Sequence, residues 1–321
     1  MKRIALDPYI VAILGMVLLA SLAPVRGVAA TDFGLFTKVA IALLFFLHGA
    51  KLSREAVIAG LTHWRLHLTV LIATFGFFPI LGLLARQLPS VVLPQSLTAG
   101  LLFLCCLPST VQSSIAFTAV ARGNVAAAVC AASASNLLGI FLTPVLITLT
   151  MQARGAGVSM GELQSIVLQL LAPFIAGQIA RRWIMDWIVR HARVVGWVDR
   201  GSILLVVYGA FSAAVTQGLW HEVSADQIAV LTLVCVALLA VALSATVAAA
   251  RLLGFAKIDE ITIVFCGSKK SLASGVPMAG IFFPPAAVGL MVLPLMIFHQ
   301  IQLMVCALIA RRYGARPIEE F

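Results

Sequence analysis

Residues 267–275 read Gly267-Ser268-Lys269-Lys270-Ser271-Leu272-Ala273-Ser274-Gly275, and they stand near the middle of an apolar run from about 260 to 283. A run of that length is a membrane-crossing helix, which needs about 20 residues. Two lysines at its centre each cost at least about 2.5–3.5 kcal/mol on insertion scales. Unwound backbone at mid-membrane depth is tolerated only where protein buries it or it lines a cavity. The stretch therefore predicts a broken helix inside an all-α polytopic membrane protein.

The rest of the chain agrees. It is 62% hydrophobic and 11% charged, against roughly a quarter charged in a soluble domain. Its apolar residues fall in long blocks rather than the alternating segments of about 10 residues that mark a transmembrane barrel. Ten spans are expected at about 8–25, 33–51, 66–85, 96–121, 124–150, 162–182, 200–220, 227–250, 260–283 and 286–310. The first, preceded only by Lys2 and Arg3, is read as a mature span rather than a cleaved leader. With both termini cytoplasmic, the inner segments hold sixteen Lys and Arg and the outer ones only Arg26, Arg86 and Arg154. That is a strong positive-inside bias, and a span gained or lost would scramble it. The net charge of +10 is read as anchoring to the lipid bilayer, with no basic domain or aromatic platform for nucleic acid.

All twelve carboxylates lie in loops or at span ends, so Lys269 and Lys270 have no acidic partner at their depth. Lys38 lies close enough to a span end to snorkel. The six cysteines are scattered in apolar blocks without zinc-ligand spacing and read as small buried hydrophobes. No triad, metal cluster or carboxylate dyad falls in the spans, and an enzyme is not expected.

A second polar break, Pro108-Ser109-Thr110-Val111-Gln112-Ser113-Ser114, lies about 160 residues before the first, and so does Gly49-Ala50 before Gly209-Ala210. That offset is half the chain of 321 residues. It predicts two five-helix repeats, 1–158 and 159–321, inverted relative to each other because five is odd. Helices 4 and 9 are then broken in corresponding places, where half-helix ends offer N–H groups to anions and carbonyls to cations.

The chain resembles the bile acid:sodium symporter family. The likeness is carried by Leu107-Pro108, by Ala121-Arg122-Gly123-Asn124-Val125 and by Asn136-Leu137-Leu138-Gly139-Ile140-Phe141-Leu142-Thr143-Pro144. The lysine-bearing break looks like its SBF-like branch, which includes bacterial symporters and an orphan mammalian carrier. The resemblance implies a panel domain of spans 1, 2, 6 and 7 and a core domain of spans 3, 4, 5, 8, 9 and 10. Spans 4 and 9 would cross at the core centre, with alternating access by movement of core against panel. It also implies departures at sodium. Ser268 falls where the bile-acid branch has a glutamate serving both sodium sites, and Ala128 and Ala132 replace span-five hydroxyls. Gln112, Ser113, Ser114 and Ser268 remain as a possible sodium set.

The candidate binding residues are Pro108, Thr110, Gln112, Ser113, Ser114, Ser133, Asn136, Ser268, Lys269, Lys270, Ser271, Ser274 and His299. At least one ammonium is expected in the space where the family holds sodium, tying together Gln112, Ser113, Ser114 and Asn136. Lys269 and Lys270 are open to three roles: proton coupling, a permanently charged brace, or an anion site for substrate. His48 and His299 lie in apolar runs, where packing is commoner than a titrating relay. Arg122-Gly123-Asn124 reads as a structural turn. The expected function is secondary transport of a small organic anion or amphipathic solute without a cofactor. The alternative is a non-transporting membrane regulator that keeps the fold.

Overall fold

The computed structural model describes residues 8–51, 63–152, 160–216, 218 and 223–316. Among these, all regular secondary structure is helical. The expected charges at Lys2, Arg3, Arg54 and Arg154 lie outside the described residues, as do Asp7, Glu55, Glu222, Glu319 and Glu320.

The helices in chain order are α1 (Pro8–Leu22), α2 (Val28–Lys51), α3 (Trp64–Ile72), a π segment (Ala73–Phe77), α4 (Phe78–Ala85), α5 (Gln95–Cys106) and α6 (Gln112–Val120). They continue with α7 (Val125–Gln152), α8 (Met160–Arg190), α9 (Ala192–Thr216), α10 (Ala225–Leu252), α11 (Lys257–Gly267), α12 (Leu272–Phe282) and α13 (Pro285–Gly314). Six stretches of described helix are long and apolar enough to cross a membrane: Val28–Lys51, Trp64–Ala85, Val125–Met151, Ala192–Thr216, Ala225–Leu252 and Pro285–Gly314. Val11–Leu22 and Gln95–Cys106 are shorter apolar helices. This is an integral membrane protein.

The helices gather into two compact units. One holds α1, α2, α8 and α9 together with Val276–Val292. Its tightest packing is between α2 and α8, where a Cβ on Gly49 would collide with the Phe174 carbonyl and one on Gly177 with that of Phe46. Two glycines bring the backbones into contact, the usual way for helices to associate without a hydrophobic driving force. Arg181 donates to the Ala50 carbonyl at 3.0 Å and Lys51 pairs with Asp199, tying the same end of α2. Tyr208 on α9 donates to the Ala23 carbonyl at 2.8 Å, closing α9 onto the end of α1.

The other unit holds α3–α7, α10, α11, the first turn of α12 and α13 from Leu293. One apolar cluster joins Leu66, Val70, Ala127, Ala128, Ala131, Ala250, Ile263 and Cys266, so small alanines of α7 admit its neighbours closely. The turn at Arg122-Gly123-Asn124 is a clamp. Arg122 adopts φ 57°, and Asn124 caps α7 at the Ala127 amide (3.0 Å) while donating to Asp259 (2.9 Å). Both expected breaks are present but shorter than the polar stretches that announced them. Unwound backbone covers 107–111 and 268–271, while Gln112, Ser113 and Ser114 form the first turn of α6. A polar side chain in that first turn lies beside amides that lack helical partners, so helix can resume there.

Candidate functional site at two broken helices

A helix that stops leaves its last carbonyls without intrahelical donors. In lipid each must be satisfied by protein. Here the donors come chiefly from the opposite broken helix, with Ser268 of the same break and Thr143 of α7 adding one each. At the end of α11, the Val264 carbonyl accepts from the Ser268 hydroxyl (2.6 Å), Phe265 from Ser114 (2.9 Å) and Cys266 from Ser109 (2.5 Å). At the end of α5, the Cys106 carbonyl accepts from Thr143 (2.9 Å), and those of Cys105 and Leu107 accept from the ammonium of Lys270 (2.8 and 2.7 Å). The breaks are also joined directly, Ser271 N–H to the Pro108 carbonyl at 2.9 Å. Close approach requires Gly139 of α7, where a Cβ would strike Pro108, and Gly275, where one would strike Leu107.

Lys270 has a third acceptor, the Thr74 carbonyl at 2.8 Å. Its origin is local. The π segment pairs Phe78 N–H with the Ala73 carbonyl five residues back. The next such donor would be residue 79, and Pro79 has no N–H. The Thr74 carbonyl is thus freed by a proline and its π turn, and Lys270 takes it. The ammonium is 0% exposed, has as many carbonyls as it has N–H bonds, and lies 4.2 Å from the ring centre of Phe78. It sits at the C-terminal, partially negative end of α5, where a cation is favoured.

The unwound backbone around it is held from α13. Gln302 accepts from Lys270 N–H (2.9 Å) and donates to the Lys270 carbonyl (2.9 Å), and its amide nitrogen also donates to Nδ1 of His299 (2.8 Å). His299 therefore orients Gln302, which fixes Lys270.

Lys269 is placed differently. It too is 0% exposed, but its ammonium has one long hydrogen bond, 3.5 Å to Ser113, and lies 4.4 and 5.5 Å from the ring centres of Phe117 and Phe265. Ser113 donates to Thr110 (2.8 Å), which shares a bond with Ser114 (2.9 Å). An aromatic cage with one adaptable hydroxyl can hold a cation and still exchange partners.

Of the predicted site residues, Pro108, Thr110, Ser113, Ser114, Ser268, Lys269, Lys270, Ser271, Ser274, Asn136 and His299 are thus brought into the two breaks and their supports. Ser274 donates to Asn136 (2.8 Å) and Ser271 to Ser274 (3.1 Å). Gln112 is exposed on α6, and Ser133 is half-buried on α7. Lys270 ties together carbonyls of residues 74, 105 and 107, rather than the expected side chains of Gln112, Ser113, Ser114 and Asn136. Thr74, Pro79, Ser109, Ser135 and Gln302 belong to the arrangement without having been among its candidates. Ser135 accepts from the Ser109 amide at 3.0 Å. Proline within a span was the one signal for a freed carbonyl on α3–α4.

The profile of the SBF-like CPA transporter family matches residues 7–315. The chain belongs to the SBF-like CPA transporter family. An uncharacterised protein of Pseudomonas aeruginosa is 59% identical over 311 residues, covering 97% of this chain and 93% of its own. YfeH of Escherichia coli (strain K12), provisionally named a symporter, is 57% identical over 308 residues, covering 96% and 93%. The mouse protein named sodium/bile acid cotransporter 7 is 31% identical over 272 residues, covering 83% and 79%.

Sodium, which the resemblance to symporters brings with it, does not fit the donors of this SBF-like chain. Ala128 and Ala132 are fully buried and offer no side-chain oxygen. The Ser268 hydroxyl is turned back on Val264, and Ser114 is engaged with Phe265 and Thr110. The best-placed carbonyls already hold Lys270. Among the described residues, no three His, Cys, Asp or Glu are grouped to hold a metal.

Proposed function

We propose that this protein is a secondary active carrier that moves a small organic anion or amphipathic solute across the bacterial inner membrane by alternating access, with proton rather than sodium coupling. The observation that carries the reading is the pair of buried ammonium groups in two mutually capped broken helices. Scaffolding alone gives a membrane protein little reason to keep such costly groups. Of the two, Lys269 is the coupling group. Its single long hydrogen bond to Ser113 leaves it able to exchange a proton or meet an anion, with Thr110 and Ser114 adjusting behind Ser113.

The topology in this reading is ten spans with both termini cytoplasmic, in two inverted five-helix repeats, 1–158 and 159–321. The positive-inside bias and the 160-residue offset of the breaks support it. Panel helices are α1, α2, α8 and α9, and their gathering in one compact unit supports that division. The binding residues are Lys269, Ser113, Thr110, Asn136 and Ser274, with Lys270, Ser271, Pro108, Ser114, Ser268 and His299 as their frame.

The test is reconstitution into liposomes, with uptake of cholate and a panel of monovalent organic acids under imposed proton or sodium gradients. Uptake driven by an inward proton gradient, without sodium, is expected. Uptake that follows sodium alone would overturn the coupling. Folded protein with no flux of any solute under either gradient would favour a regulatory role instead.

A further inference from the structure

The three carbonyls around Lys270 converge from two elements that have nothing else to give them. Cys105 and Leu107 end a half-helix, and Thr74 faces a proline. Without the ammonium the interior would contain a cluster of unpaired carbonyl oxygens at the negative end of α5, with Phe78 as a roof. Such a cluster is a cation site. The oxygens stand 2.7–2.8 Å from the nitrogen they surround, a spacing that suits ammonium or potassium better than the smaller sodium. The lysine stem enters through backbone locked by Gln302, so this cation cannot leave.

We infer that the carbonyls of Thr74, Cys105 and Leu107 form a monovalent-cation site permanently filled by the Lys270 ammonium, a tethered ion standing where a carrier of this architecture would otherwise need a dissociable one. Two consequences follow. The crossing of the broken helices is stable in any salt, and removing the tether while leaving its space creates a protein that needs an added cation. The inference deepens the carrier reading and rests on it for its meaning to transport. Its test reads stability alone, so failure here leaves the carrier reading standing, and failed flux leaves the site standing.

The full chain in detergent is compared with Lys270→Ala, Lys270→Met and Lys269→Ala by thermal unfolding at constant ionic strength in sodium, potassium, n-propylammonium or choline chloride. Wild type is expected to show no cation preference. Lys270→Ala should lose roughly 5–15 °C in choline and recover most of it in n-propylammonium, which replaces the missing stem and ammonium, and part of it in potassium. Lys270→Met, whose side chain fills the space without charge, should lose stability and recover none. Lys269→Ala should show no cation rescue. If Lys270→Ala does not survive extraction in choline, recovered monodisperse protein is compared after extraction in n-propylammonium and in choline, with higher recovery in n-propylammonium expected. Sodium-specific stabilisation of the wild type, an undiminished Lys270→Ala, or loss without cation rescue would each overturn the inference, as would equal recovery in the two salts.

Discussion

Two lysines adjacent in sequence, both fully buried, have opposite hydrogen-bond accounts, and that difference decides what each can do. Lys270 satisfies three carbonyls, and deleting its ammonium leaves each of these buried acceptors unpaired at about 1–3 kcal/mol. Lys269 has one long bond and two aromatic faces, an arrangement worth about 2 kcal/mol when desolvated. Lys270→Met is therefore expected to lower unfolding stability by at least about 3 kcal/mol, and Lys269→Met by about 2 kcal/mol or less. Parallel denaturation in detergent checks the order. In liposomes Lys269→Met should abolish proton-driven uptake; unchanged uptake with unchanged pH dependence would remove Lys269 from coupling. The cost of burying two lysines was legible in the sequence, but which one was fixed was not. Successive residues in unwound backbone have no helical phase to assign them a direction. The acceptors were hidden for a related reason: Thr74, Cys105 and Leu107 act through carbonyls that every residue possesses.

Helix ends and helix irregularities, more than helix faces, organise the core. Pro79 forces a π turn, and the turn presents one carbonyl to another element. Pro79→Ala restores an N–H that competes for the Thr74 carbonyl, so its effect depends on whether Lys270 is present. The double variant Pro79→Ala/Lys270→Met is expected to depart from additivity by at least about 0.5 kcal/mol, as residues sharing a partner do. Additive losses would mean that the proline and the lysine act separately. The close pair α2–α8 makes a second case. Gly49→Ala drives a Cβ into the Phe174 carbonyl and should cost about 1–3 kcal/mol. Gly15→Ala meets nothing within 4 Å in α1 and should be neutral or stabilising by up to about 1 kcal/mol. Thermal melts of the two single variants check this. Apolar blocks and polar interruptions made the helices and both breaks readable. The π turn and the glycine contacts were not, because they depend on which neighbour sits opposite, and one chain's periodicity carries no record of that.

At the scale of the whole chain, the compact units do not coincide with halves of the sequence. α1 and α2 come from the first half, α8 and α9 from the second, and they pack in one unit. A repeat offset locates equivalent segments but says nothing of which segments touch, so sequence halves and spatial units differ without conflict. What ties the halves to a membrane orientation is charge. Sixteen cations on one side against three on the other hold only if ten spans alternate without omission. In the proposed topology, five spans per half would insert the second half upside down, so that the half-helix α5 and its counterpart α11 would enter the membrane from opposite faces and meet at the breaks. Such an inversion would account for the way each caps carbonyls of the other, since two half-helices entering from the same face would present their C-termini side by side. The topology is therefore testable at the chain ends. A fluorescent protein fused after Phe321 or before Met1 is expected to fluoresce, as a cytoplasmic reporter does, while alkaline phosphatase at either end should be inactive. Active phosphatase at one end and fluorescence at the other would make the span count odd. It would also remove the five-plus-five count on which the inverted repeat rests.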